Sequence, residues 1–165
     1  MQNIEEHFKR TEGDLQASSD YMSKQNEINE SMRQVLIDWL IEVHFKFKMK
    51  AETLHIAINL LDRFLEGQTV LRSEFQLVGI VCLMIAAKYE EIFPPPVTDF
   101  VYIADYTYSK ERFLAQELII LAKLDFGLNF PVSFTFLKQF LKKLGEDEFS
   151  FDYAQFILES GLLSV

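Results

Sequence analysis

Residues Leu77 to Ala87 read LVGIVCLMIAA, eleven consecutive positions without a formal charge or a strong polar group. The run is too short to span a bilayer, which takes about 20 apolar residues, but long enough for a helix buried on every side in a soluble core. It ends at Lys88, which therefore emerges where a central helix reaches the surface. Glu90 and Glu91 follow, then Ile92, Phe93 and a triple proline, Pro94 to Pro96, that forbids further helix. Lys88 has a local explanation, because a cation near a helix C-terminus is favoured by roughly 0.3–1 kcal/mol. Its position equally suits a polar contact to a partner.

With 165 residues and 49% hydrophobic content, the chain can build a real core, and disorder of the whole is excluded. The 25 acids against 16 bases leave a charge of −9 and a pI near 4.8. That balance lacks the electrostatic footprint for nucleic acid or an anionic membrane and favours basic partners. The one cysteine, Cys82, sits inside the apolar run, so an internal disulfide and a thiolate metal cluster are excluded and a small core residue is expected. MQNIEEHFKR is charged and lacks the hydrophobic stretch of a signal peptide, so a reducing cytoplasmic or nuclear compartment is expected.

Glycine is scarce and the four prolines fall in two places, Pro94 to Pro96 and Pro131, which predicts long uninterrupted helices. In the first, Met32, Val35, Leu36, Trp39, Leu40, Val43 and Phe47 recur at helical spacing, and Ser31 with Gln34 suggests a capping box. A second runs from about Thr53 to Gly67, a candidate left-handed C-terminal position. The third starts at Ser73, again with a glutamine three residues on, and carries the apolar run to Tyr89. The fourth covers about Ser109 to Leu124 and ends near Gly127; the fifth covers Ser133 to Leu144. FVYIADYTY, residues 100–108, is read as a buried connection, because one lone strand would have no ladder partner.

The expected fold is all-α: five helices with the most apolar one at the centre, preceded by a short N-terminal helix anchored by residues among Ile4, Phe8, Leu15, Tyr21, Met22 and Ile28. The corresponding segments are 1–30 (N-terminal piece), 31–145 (five-helix unit) and 146–165, where GEDEFSFD is a linker and YAQFILESGLLSV opens a further amphipathic helix.

SMRQVLIDWLIEV, LHIAINLLDRFL, QLVGIVCLMIAAKYEEIFPP and FVYIADYTYSKE, in that order and at compatible spacing, resemble the cyclin family, specifically its mitotic A- and B-type members. The resemblance covers roughly residues 20–145, makes the five-helix unit similar to a cyclin box, and makes YAQFILESGLLSV look like the start of a second box, whose remainder is missing. The chain is then either a fragment or a shortened member.

The resemblance implies a non-catalytic subunit that binds and activates a cyclin-dependent protein kinase, acting in nucleus and cytoplasm. By the same carry-over, Lys88 and Glu117 hydrogen-bond main-chain groups beside the kinase's regulatory helix, and Tyr89, Glu90, Glu91, Ile92 and Phe93 line that interface. A cation and an anion projecting from an apolar surface suit exposed backbone groups of a docked helix. The ordinary alternative for Glu117 is an ion pair with Lys123 or Arg112. Met32, Val35, Leu36, Trp39 and Glu42, with Arg72, Phe75 and Gln76, match a hydrophobic docking patch for substrates or inhibitors bearing an Arg-x-Leu motif, Glu42 meeting the arginine. Residues 32, 35, 39 and 42 share one helical face, which does not say whether that face is open or is plain core. Phe75 stands where mitotic members usually carry leucine, so a shallower groove is expected. The alternative within the resemblance is a cyclin-box scaffold or transcription-type adaptor; related boxes bind DNA through basic surfaces, and the acidic charge argues against it.

Several sharper-looking signals dissolve. Asp125-Phe126-Gly127 spells the DFG of protein kinases, but no glycine-rich loop, VAIK-type lysine or HRD loop accompanies it, and a helix end with a left-handed glycine explains it. His7, His44 and His55 share no metal-ligand spacing, so neither a metal nor a cofactor is expected. Arg33 to Leu36 fits a minimal Arg-x-x-Leu degradation signal, yet it lies within a predicted helix and would not be readable as an extended peptide. Phe126, Phe130, Phe134, Phe136 and Phe140 form a stripe expected to fill the core rather than to stack on bases.

Overall fold

In the computed structural model, which describes residues 17–18, 20–128, 132–144 and 148–163, the apolar run lies within helix α3 (Phe75–Glu90). Before it come α1 (Glu30–Phe47) and α2 (Ala51–Gly67); after it come α4 (Val97–Ile103), α5 (Lys110–Lys123), α6 (Ser133–Leu144) and α7 (Glu148–Gly161). Short 3-10 turns occupy Tyr21–Lys24 and Arg72–Glu74, and no strand occurs among the described residues. Every residue from Leu77 to Ala87 is buried, and α1, α2, α4 and α5 pack around α3. A helix covered from four directions needs no polar face, which is why its sequence lacks one. Cys82 lies fully inside, and burial pushes its thiol up out of the reactive range.

The expected central helix is therefore present, but its neighbours differ in one respect. The segment taken for a plain connection forms α4 and occupies a place beside α3, whereas α6 packs on α2 and α7. Over the seven residues of α4 only Phe100 is buried, too few anchors for a helical period to be legible. The expected linker GEDEFSFD is likewise helical from Glu148 onward.

Several ends are built differently from their sequence signals. Asn29, not Ser31, caps α1, accepting from the Met32 amide at 3.0 Å. Ser73 falls in the 3-10 turn that precedes α3. Ser109, the expected start of the fourth helix, caps α5, accepting from the Arg112 amide. Gly67 is the last helical residue rather than a left-handed one. What it supplies is space, because a Cβ there would lie 2.8 Å from Cε of Lys123. At the DFG triplet the left-handed residues are Asp125 and Phe126 (φ 49° and 54°), not Gly127. Asp105 and Tyr106 repeat that arrangement after α4; aspartate tolerates this region better than most residues.

Tyr21, Met22 and Ile28 are buried as anchors, held in a 3-10 turn and its continuation rather than an α-helix; Ile4, Phe8 and Leu15 lie outside the described residues. Of the phenylalanine stripe, Phe134 is buried, whereas Phe126 and Phe140 are exposed; Phe130 is outside the described residues. Phe134 stacks on His55 of α2, and Lys138 pairs with Glu52, so α6 is joined to α2 by a ring contact and an ion pair.

One polar network runs through this apolar interior. Arg33 of α1, only 2% exposed, donates from Nε and Nη2 to the two oxygens of Asp62 on α2 at 2.8 and 2.7 Å, and from Nη1 to the carbonyl of Leu162. The Tyr21 hydroxyl donates to the same carboxylate. Burial works against the arginine's charge, but the hydrogen bonds and charge of Asp62 outweigh it and hold the pKa above the ordinary value. Burial, reinforced by Asp62, also pushes the Tyr21 phenol up. The network joins the N-terminal turn, α1, α2 and the residues after α7, and it removes Arg33 from any extended degradation signal.

Candidate functional sites: a charged corner and an apolar groove

At the C-terminal end of α3 the chain turns outward. Lys88 donates from Nζ to both Glu117 carboxylate oxygens, at 2.6 and 2.8 Å, joining α3 to α5. The lysine side chain is 43% exposed and the glutamate 14%, so the pair sits at a rim. Glu117 is thus ion-paired, though with neither base that sequence proximity suggested: Arg112 pairs with Glu74, and Lys123 lies over Gly67. Lys88 therefore has a partner within its own chain.

The residues after Lys88 divide. Tyr89, Ile92 and Phe93 are exposed, Phe93 to 92%, an arrangement that leaves aromatic and aliphatic surface beside the ion pair. Glu90 and Glu91 instead turn back: Glu90 pairs with Lys50 at 2.9 Å, and Glu91 accepts the Lys50 amide at 2.7 Å and the Thr53 hydroxyl. Lys50 is the N-cap position of α2 and offers no side-chain cap to its own helix. Glu91 therefore supplies the acceptor and the negative charge that a helix start favours, and it anchors the loop carrying Ile92 and Phe93. Lys50 and Thr53 lie some 40 positions away, and no local signal announces them.

The second region is a groove of about 530 Å³ between α1 and the start of α3. Met32, Val35, Leu36, Trp39, Arg72, Phe75 and Gln76 line it, together with Ser31, which the sequence reading used only as a cap. The face is open: Val35 is exposed and Trp39 and Met32 are half-buried, while Leu36 and Phe75 are buried at its base. Leu36 also belongs to the core. Glu42 is exposed and is not among the lining residues. Depth at Leu36 depends on Gly79 of α3, where a Cβ would come within 2.8 Å of the leucine's methyl carbon. The backbones of α1 and α3 approach closely because that position has no side chain.

Neither region holds a metal constellation, and among the described residues no group of three or more His, Cys, Asp or Glu could hold one. His44 Nε2 lies 2.9 Å from the Lys50 carbonyl. His55 is buried beneath Phe134, its Nε2 without a partner, and burial lowers its pKa to about 4 despite the opposing charge of Glu52. No helix among the described residues is long and apolar enough to cross a membrane.

Comparison with known proteins places these features. The family model "Cyclin, N-terminal domain" matches residues 3–129. The chain is 48% identical over 145 residues to the G2/mitotic-specific cyclin S13-7 of Glycine max, covering 88% of this chain and 56% of that protein. It is 47% identical over 143 residues to Cyclin-B1-3 of Arabidopsis thaliana (87% and 34%) and 42% identical over 162 residues to Cyclin-A1 of Homo sapiens (98% and 35%). The chain thus spans between about a third and somewhat over half of the length of these relatives. A solved viral cyclin from herpesvirus saimiri matches its fold with a TM-score of 0.87 over 96% of this chain and 71% of that one, at 20% identity.

Proposed function

The chain belongs to the cyclin family, with mitotic A- and B-type members as its relatives, and from that premise we propose that it is a regulatory subunit that binds and activates a cyclin-dependent protein kinase in cell-cycle control, in nucleus and cytoplasm. The observation that carries the reading is the Lys88–Glu117 pair at an exposed rim beside Tyr89, Ile92 and Phe93. An ammonium has three donors and gives two to Glu117, and a carboxylate has about four acceptor positions. The pair therefore keeps one donor for a backbone carbonyl and spare acceptors for an N–H of a docked helix, while the three exposed side chains supply apolar anchoring.

Activation follows from differential binding. The chain contributes no catalytic group; it holds the kinase's active arrangement more tightly than the inactive one, because only that difference shifts the equilibrium. Partners with an Arg-x-Leu motif dock in the groove, the leucine above Leu36 and Trp39. Glu42, outside the lining, reaches the arginine only from the groove's edge.

Histone-type kinase activity on mixing the chain with a mitotic cyclin-dependent kinase tests the reading. Stimulation is expected, with Lys88→Ala and Glu117→Ala each abolishing it and Trp39→Ala sparing the basal stimulation while weakening phosphorylation of Arg-x-Leu substrates. No stimulation, together with kinase binding that neither corner variant alters, would overturn it.

A further inference from the structure

Both walls of the groove between α1 and α3 hang from one short segment. Residues 25–29 run from the 3-10 turn to α1, and the buried Ile28 fixes them in the core. Gln25, Glu27 and Asn29, two positions apart, each bind main-chain groups. The Gln25 carboxamide donates from Nε2 to the carbonyls of Leu65 and Gln68, at 2.6 and 2.9 Å, and accepts the Val70 amide at 3.0 Å. Those carbonyls belong to the end of α2, where a helix leaves its acceptors unfilled, so the same side chain also fixes the start of the link into α3. Glu27 accepts the Arg72 amide at 3.0 Å, and Asn29 accepts that of Met32 at 3.0 Å. Arg72 stands on the α3 wall of the groove and Met32 on the α1 wall.

We propose that this segment sets the separation of the two walls, with Glu27 as the positioning residue. For the ligand it affects, the inference rests on the docking-groove reading above; the geometry stands without it. The link from Gln68 to Glu74 is held near α3 by other elements: the Tyr108 hydroxyl donates to the Ser73 carbonyl at 2.8 Å, and Arg112 pairs with Glu74. The half that leads into it, Val70 and Arg72, is tied to Gln25 and Glu27. Gln25 is half-buried and closes α2, so its loss disturbs the helix end as well. Glu27 is exposed, and its carboxylate makes a charge-assisted bond to the Arg72 N–H. An exposed side chain of this kind adds little to the stability of the fold, yet it holds the Arg72 end of one wall against the start of the helix that forms the other. Without it, that end swings away and the apolar seat over Leu36 and Trp39 widens. The coupling is reciprocal: a ligand that spans the walls also holds Arg72 in place.

The test compares Glu27→Ala with two controls. Glu27→Gln keeps an acceptor oxygen at the same reach; Glu66→Ala frees the Ser18 amide, further along the N-terminal piece, and touches neither wall. Trp39, the single tryptophan of the chain, lines the groove and serves as its reporter. Acrylamide quenching of Trp39 fluorescence in the whole chain is expected to rise in Glu27→Ala and to stay near the wild-type value in Glu27→Gln and Glu66→Ala. In anisotropy titrations with a short, labelled Arg-x-Leu peptide, Glu27→Ala is expected to weaken binding about tenfold, with both controls near wild type. Unchanged quenching in Glu27→Ala, or unchanged affinity for a peptide that the wild-type chain binds, overturns the proposal. So does a rise in quenching that Glu27→Gln does not prevent or that Glu66→Ala reproduces. If the wild-type chain binds no such peptide, the docking-groove reading fails separately, and the quenching series still decides whether the segment sets the walls.

Discussion

Two ion pairs with nearly the same heavy-atom distances sit in opposite surroundings in this molecule. Arg33–Asp62 joins α1 to α2 with the arginine buried, and each guanidinium nitrogen donates, two to the carboxylate and one to the Leu162 carbonyl, while the Tyr21 hydroxyl donates to the same carboxylate. Lys88–Glu117 joins α3 to α5 at a rim, and the lysine keeps a donor in hand. Distance alone does not separate a strut from a docking point. Burial and the number of unfilled hydrogen-bonding positions do, because an unpaired buried charge is intolerable whereas an exposed one is solvated until a partner arrives.

The largest expected effect breaks the buried pair. Arg33→Ala leaves Asp62 and Tyr21 facing each other without the cation, and a loss of about 3–5 kcal/mol in urea denaturation is expected. Arg33→Met combined with Asp62→Leu should recover much of that loss; a double variant as unstable as the single one would show that the pair contributes specific attraction beyond mutual neutralisation.

Next is a pH effect at α2. His55 titrates near 6.5 when unfolded and near 4 when folded, so the unfolded chain binds the proton first. Stability is present above pH 6.5 and is lost as pH falls from about 6.5 to 4, by up to about 3 kcal/mol. Denaturation midpoints measured at pH 7 and pH 5 read it, and His55→Phe should flatten the difference; an unchanged slope in the variant would assign the loss to other groups.

Gly79→Ala follows, at about 1–3 kcal/mol for forcing a methyl against Leu36, partly offset by better helix propensity. It should also weaken Arg-x-Leu peptide binding, because Leu36 forms the base of the groove. The smallest effect on folding belongs to the corner: Lys88→Ala should shift the denaturation midpoint by no more than about 1 kcal/mol while removing kinase stimulation. A change as large as that of Arg33→Ala would make Lys88–Glu117 a strut too and erase the contrast between the pairs.

Much of this was legible in the chain. Uninterrupted apolarity from Leu77 to Ala87 could only be a helix surrounded on all sides, and periodicity located α1, α2, α5 and α6. The groove residues were legible for a related reason: Met32, Val35 and Trp39 repeat on one helical face, and the 72–76 segment carries the same motif match. What was not legible depends on partners distant in sequence. Nothing near Glu91 reveals Lys50 and Thr53, and nothing near Arg33 reveals Asp62, 29 positions on. α4 escaped because seven residues with one buried anchor carry no period, and the left-handed pairs Asp105-Tyr106 and Asp125-Phe126 escaped because a neighbouring glycine is the commoner solution.

By itself, then, the sequence determined the all-α class, the central helix, the family and the residue types gathered near the corner and the groove, since these follow from local spacing and composition. The tertiary structure alone decided which charges are held inside the molecule and which stand at its surface. Lys88 and Glu117 stand at a rim, and Glu90 and Glu91 are turned inward. Solvation is the physical reason: the fate of a charge or an amide depends on what surrounds it in three dimensions, and packing brings together residues that chain order keeps far apart.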